Sequence, residues 1–164
     1  MNELYIRKST PSDFDRILEI YAHARKFMAE HGNPDQWKQH KPAIELIEAD
    51  IRNGNGYVCI CNEEVHGVMS FLVGEDPTYK KIIGEWKNDE EYAVVHRIAS
   101  SSQVRGVGRF MLEWAYSQHR NIRIDTHEDN YVMQELLKKL DATWDTKTTP
   151  KRKKFFDTLK DFFD

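Results

Sequence analysis

Apolar residues return at two different periods along this chain of 164 residues, and the switches between periods mark its elements. Leu4-Tyr5-Ile6-Arg7 reads as a short strand. Thr10-Pro11-Ser12-Asp13 then opens a helix, capped either by Thr10 ahead of Pro11 or by Ser12. Phe14, Ile17, Leu18, Tyr21 and Ala24 recur at helical spacing and predict a buried stripe, which Gly32-Asn33-Pro34 ends. A second helix is predicted around Ile44–Arg52, closed by Asn53-Gly54-Asn55-Gly56. Tyr57–Cys61 and Val65–Val73, joined by the polar turn Asn62-Glu63-Glu64, predict an antiparallel hairpin. Gly74–Glu91 is polar, contains Pro77 and Gly84, and reads as a long loop. Tyr92–Ala99 is the next predicted strand and Phe110–His119 the next helix.

The end of the chain changes character. Thr143–Lys154 is polar and basic and includes Pro150, after which Phe155, Phe156, Leu159, Phe162 and Phe163 fit an amphipathic helix. Length predicts one domain spanning 1–164, with 142–164 as its unusual C-terminal segment. A net charge of −3 makes no general case for nucleic acid as a partner. No apolar run reaches the length of a membrane span, and Met1-Asn2-Glu3 does not begin a signal peptide, so the expected location is cytoplasmic. Cys59 and Cys61 sit two apart in one predicted strand, on one face, which disfavours a disulfide between them. Reduced core thiols are expected, and no metal.

The candidate chemistry is concentrated between Val94 and Leu112. An apolar strand runs into Ser100-Ser101-Ser102, and Gln103-Val104-Arg105-Gly106-Val107-Gly108 then opens the helix. A helix start without side chains leaves several N–H groups converging where the helix dipole is positive, which favours a phosphate or pyrophosphate. The glycines allow close backbone approach, and Arg105 and Arg109 could add charge-assisted contacts. A Walker loop is disfavoured because Arg109-Phe110 follows Gly108 where Lys-Ser/Thr would be needed. A dinucleotide fingerprint is disfavoured because Met111 stands where the third glycine belongs.

The pattern that remains, Gln-x-x-Gly-x-Gly, resembles the coenzyme A loop of the GNAT superfamily of acetyl-CoA-dependent N-acetyltransferases. Asn121–Asn130 and Met133–Leu140 resemble the next strand, loop and helix of that family, so the likeness runs from Leu4 to about Leu140. It implies an α/β fold, a mixed and mostly antiparallel sheet of roughly six strands flanked by helices on both faces. It implies acetyl-CoA as cosubstrate, held by Ile98, Ala99, Ser100, Gln103, Val104, Arg105, Gly106, Val107, Gly108, Arg109, Asn130 and Met133. By the same resemblance, the strand holding Ile98–Ser100 diverges from that at Ile122–Thr126, and backbone groups at the split meet pantetheine. Two departures stand out. Leu137 occupies the place of a tyrosine that often acts as general acid, and Asp141-Ala142 replaces the usual Gly-Phe before a final hairpin, which a helix could replace here.

The implied reaction is acetyl transfer to a primary amine by direct attack in a ternary complex. His96, two residues before Ile98 and so expected on the same face, is the candidate base. His127, Asp125 and Glu85 are others, and Trp37, Tyr79 and Trp86 are candidate walls for the amine. Each has a plainer reading as a structural residue. Two other functions stay open: an acyl-CoA sensor without catalysis, and an interaction module whose Phe-rich helix docks a partner or builds a homodimer. The acceptor could be a polyamine, amino acid, antibiotic or peptide amine.

Overall fold

The computed structural model describes residues 3–32, 42–73, 92–119, 122–124 and 135–136. Among them, strand β1 (Leu4–Lys8) leads through a 3-10 turn at Pro11–Asp13 into helix α1 (Phe14–Glu30). Helix α2 (Ile44–Asn53), strands β2 (Gly56–Cys61), β3 (Glu64–Val73) and β4 (Ala93–Ser100), helix α3 (Val107–Gln118) and strand β5 (Ile122–Ile124) follow. Thr10 caps the first turn with Pro11 behind it. α2 stops at Gly54, which takes the left-handed conformation (φ 73°) that spares a C-cap the Cβ clash. The β2–β3 hairpin turns on Asn62 and Glu63, both at positive φ (51° and 66°), as a two-residue turn matched to strand twist requires.

The five strands lie in the order β1-β2-β3-β4-β5. β1 to β4 pair antiparallel, and β5 joins β4 in parallel, with α3 as the crossover a parallel pair needs. Alternation along the strands divides the core into two. Val58, Ile60, Val65, Val68 and Ala99 face α1 and α2, which contribute Ile17, Ile20, Tyr21, Ala24 and Ile47. Cys59, Met69, Phe71, Ala93 and Val95 face the other way, toward Val107, Met111, Leu112 and Ala115 of α3. Helices therefore cover both faces, as a mixed α/β sheet demands. No described helix is long and apolar enough to cross a membrane.

The expected stripe of α1 holds at Ile17, Tyr21 and Ala24, with Phe14 and Leu18 partly buried beside it. Cys59 and Cys61 are buried free thiols. Burial pushes the Cys59 thiol up to about 11, and the neighbouring Cys61 adds to it. The tail from Thr143 onward lies outside the described residues.

Candidate active site

β4 has two unlike halves. Ala93, Val94 and Val95 are fully buried, bonded to β3 on one side and to β5 on the other. From His96 to Ser100 the described partner is β3 alone, and every residue but Ala99 is half-buried.

The second half begins with a bulge. Between the pairs Val68↔Ala99 and Ser70↔His96, β3 spends one residue and β4 two, Arg97 and Ile98. Arg97 sits at φ 53°, a left-handed conformation that costs a residue with a side chain about 1–2 kcal/mol. Its neighbours hold it there. The Tyr21 hydroxyl of α1 donates to the Arg97 carbonyl at 2.7 Å. Arg97 Nη2 donates to Asp50 Oδ1 and Oδ2 of α2 at 2.8 and 2.9 Å, and Nε to Oδ2 at 3.2 Å. The Ser70 hydroxyl adds a bond to Asp50 Oδ1 at 3.2 Å. Burial pushes the Tyr21 phenol well above its ordinary pKa, so it stays a donor at neutral pH.

The bulge also corrects the placing of His96. Its spacing from Ile98 predicts a shared face, but the extra residue breaks the alternation. Ile98 packs against the cluster under α3. His96 instead pairs with Ser70, whose side chain reaches Asp50 on the α2 side.

After β4, Ser101 anchors the connecting loop. Its N–H donates to the His66 carbonyl at 2.8 Å, and its Oγ lies 2.9 Å from His66 Nδ1 and accepts from the Gln103 N–H at 3.2 Å. Gln103 is turned toward α1, its Oε1 accepting from Arg16 Nη2 at 2.9 Å. Val104 packs on the α3 cluster and Arg105 is exposed. Gly106 is the N-cap of α3 at φ 82° and offers no side-chain cap. The helix's own bonds begin with Phe110 N–H to the Gly106 carbonyl at 2.9 Å. The N–H groups of Val107, Gly108 and Arg109 precede that bond and lack intrahelical partners. Gly106 itself is exposed, and a Cβ added there would meet nothing within 4 Å among the described residues.

The helix start is placed by packing rather than by caps. Val107 and Met111 press onto β3 over Gly67, where a Cβ would lie 2.6 Å from Val107 Cγ1 and 2.8 Å from Met111 Cε. Only glycine lets α3 come this close. Arg109, expected as a phosphate contact, is engaged with Glu113 Oε1 at 2.8 Å in an exposed pair one helical turn on.

Asn130, Met133, Trp37, Tyr79 and Trp86 lie outside the described residues, as do Leu137 and the alternative bases His127, Asp125 and Glu85. The structure brings forward three residues whose part in the site sequence patterning does not give. Gly67 interrupts an apolar strand, the usual mark of close approach. Asp50 is a carboxylate one turn past the buried Ile47, on the inward face of α2. Tyr21 is the polar-tipped member of an otherwise apolar stripe. Among the described residues, no group of three His, Cys, Asp or Glu side chains could hold a metal ion.

The chain matches no protein-family model and no curated protein. Solved structures do resemble it. A GNAT-family acetyltransferase from Streptococcus agalactiae 2603 shares 32% identity over 84% of this chain and 83% of its own, with a TM-score of 0.76. A putative acetyltransferase from Staphylococcus aureus Mu50 shares 24% identity over 82% of this chain and 88% of its own, with a TM-score of 0.65. Aminoglycoside N-acetyltransferase AAC(6')-Iy, in complex with CoA, shares the fold at 12% identity and a TM-score of 0.58, over 86% of this chain and 88% of its own. The first of these is close enough in sequence and in coverage to decide the matter: the chain belongs to the GNAT family of acetyltransferases and has its fold.

Proposed function

We propose that this chain transfers an acetyl group from acetyl-CoA to a primary amine, by direct attack with both reactants bound. The observation that carries the reading is the start of α3, without a side-chain cap, exposed at Gly106 and reached directly from the end of β4. A CoA pyrophosphate fits there: it needs several convergent N–H donors and room, and competes with no side-chain cap. When bound, acetyl-CoA supplies an activated thioester carbon.

The chain's own residues then have distinct tasks. Val107, Gly108 and Arg109 offer N–H groups to the pyrophosphate, and the exposed Arg105 adds charge. The backbone of Gln103 and Val104 lines the approach. Ile98, Ala99 and Ser100 offer backbone groups to the pantetheine amides, and the Ile98 N–H donates to the acetyl carbonyl, drawing charge toward its oxygen. Holding both reactants side by side supplies much of the rate. His96, on the α2 side of β4, takes the proton of the attacking amine, directly or through water. Asn130 and Met133 continue the cofactor contacts, and Trp37, Tyr79 and Trp86 wall the amine. The cysteines support direct transfer over a covalent acyl-enzyme: both are buried and the Cys59 thiol is pushed up to about 11.

Thiol release from acetyl-CoA, followed over polyamines, amino acids, aminoglycosides and lysine peptides, with the product amine weighed by mass spectrometry, tests the reading. Amine-dependent release with an acetylated product is expected. Leu137, standing where the family often has a tyrosine acid, favours a second reading as an acyl-CoA sensor. Tight acetyl-CoA binding with no amine acetylated would select it.

A further inference from the structure

The bulge residue Arg97 is held from two directions, by Tyr21 of α1 and Asp50 of α2. Tyr21, 1% exposed beneath α1, donates to its carbonyl at 2.7 Å. Asp50 of α2 takes its guanidinium through both carboxylate oxygens, the two side chains being 14% and 20% exposed. Ser70 fixes Asp50 from the neighbouring strand. The Arg97 carbonyl and the Ile98 N–H belong to one peptide unit. That unit is planar and trans, so the two groups point in opposite directions. Pinning the carbonyl on Tyr21 therefore fixes the direction of the Ile98 N–H. Asp50, by holding the side chain, keeps the same residue in its left-handed conformation (φ 53°).

We propose that Tyr21, Asp50 and Arg97 form a brace that aims the Ile98 N–H at the acetyl carbonyl, making Tyr21 and Asp50 positioning residues for acyl transfer. The inference rests on acetyl-CoA binding as proposed above. It assigns a role to residues that neither touch the cofactor loop nor are needed to hold the pyrophosphate. Loss of the brace leaves CoA affinity in place and weakens what the N–H does to the carbonyl.

The test is difference infrared spectroscopy of acetyl-CoA carrying a 13C-labelled acetyl carbonyl, with CoA affinity measured beside it by titration. In the wild type, the bound carbonyl band lies at lower frequency than that of free acetyl-CoA. In Tyr21→Phe the band returns toward the free position, turnover falls on the order of tenfold or more, and CoA affinity changes by about threefold at most. Asp50→Asn makes the same measurement without touching the core. Its effect on the band is present with Arg97 and absent in an Arg97→Gly background, because glycine takes a left-handed conformation unaided. A band that stays at the wild-type position in folded Tyr21→Phe overturns the brace. Equal effects of Asp50→Asn in both backgrounds overturn the part given to Asp50. A wild type that does not bind acetyl-CoA fails differently, by defeating the proposed function itself.

Discussion

The chain starts two of its helices in opposite ways. Ahead of α1, Asp13 closes the first turn: its Oδ2 accepts from the Thr10 N–H at 2.8 Å, and Arg7 clamps both its oxygens at 2.8 and 3.0 Å. Ahead of α3 stands Gly106, with no side chain, no cap and no acidic residue in the turn that follows. One start carries its own anion, 7% exposed, and the other is left open to solvent. The chain thus sets a buried, clamped carboxylate at the helix start that serves the fold. The bare one is not for want of suitable residue types, since Ser100, Ser101 and Ser102 lie just upstream. Ser101 is spent instead on His66 and Gln103, which fix the loop.

If the α3 start is placed by packing and the α1 start by its cap, different substitutions disable each. The largest effect is expected at Gly67. Gly67→Val drives a branched side chain into Val107 and Met111, lifting the first turn of α3 from β3. A stability loss of about 1–3 kcal/mol, with weaker acetyl-CoA binding, should appear in thermal melts and titration together.

Asp13→Ala acts on the other start. It should cost about 1–2 kcal/mol of stability and leave acetyl-CoA affinity unchanged. The Arg7 guanidinium beside Asp13, helped by the Thr10 N–H, holds its carboxyl below the usual carboxylate range. Its contribution is therefore fully present above the unfolded value, near pH 4, and is lost as pH falls through the depressed folded value. Melting temperatures taken on the acid side should converge for wild type and Asp13→Ala, the gap being widest at neutral pH.

The smallest effect belongs to the Arg109–Glu113 pair. It is exposed on both sides, so Glu113→Gln should change stability by no more than about 0.5 kcal/mol. It releases Arg109, and about a twofold tightening of acetyl-CoA at low salt is expected, vanishing at high salt. A large stability loss instead would mean that α3 needs its own charge pairs to start.

These two starts also show what a sequence can disclose. The Gln-x-x-Gly-x-Gly run and the apolar strand before it are local signals, and both elements appear within a few residues of their expected bounds. Ile17, Tyr21 and Ala24 are legible in the same way, because helical period alone buries them. The bulge at Arg97 is not. A left-handed arginine leaves no mark in the hydrophobic pattern, and its cause lies in Tyr21 and Asp50, far off along the chain. That hidden residue is why two-residue alternation misplaces His96 relative to Ile98. Gly67 falls between: the interruption is visible in the sequence, but the helix that needs it is not.

On the proposed function, the bare α3 start receives the pyrophosphate of acetyl-CoA. Isothermal titration of acetyl-CoA into wild type, Gly106→Asn and Gly106→Asp tests it most directly. Asn and Asp are the side-chain residues that best tolerate the left-handed conformation Gly106 adopts at φ 82°. They have nearly the same shape and differ by one charge. With circular dichroism unchanged, the account predicts that Gly106→Asp binds weaker than Gly106→Asn by on the order of tenfold or more. Equal affinities in the two variants, or no binding by the folded wild type, would contradict it.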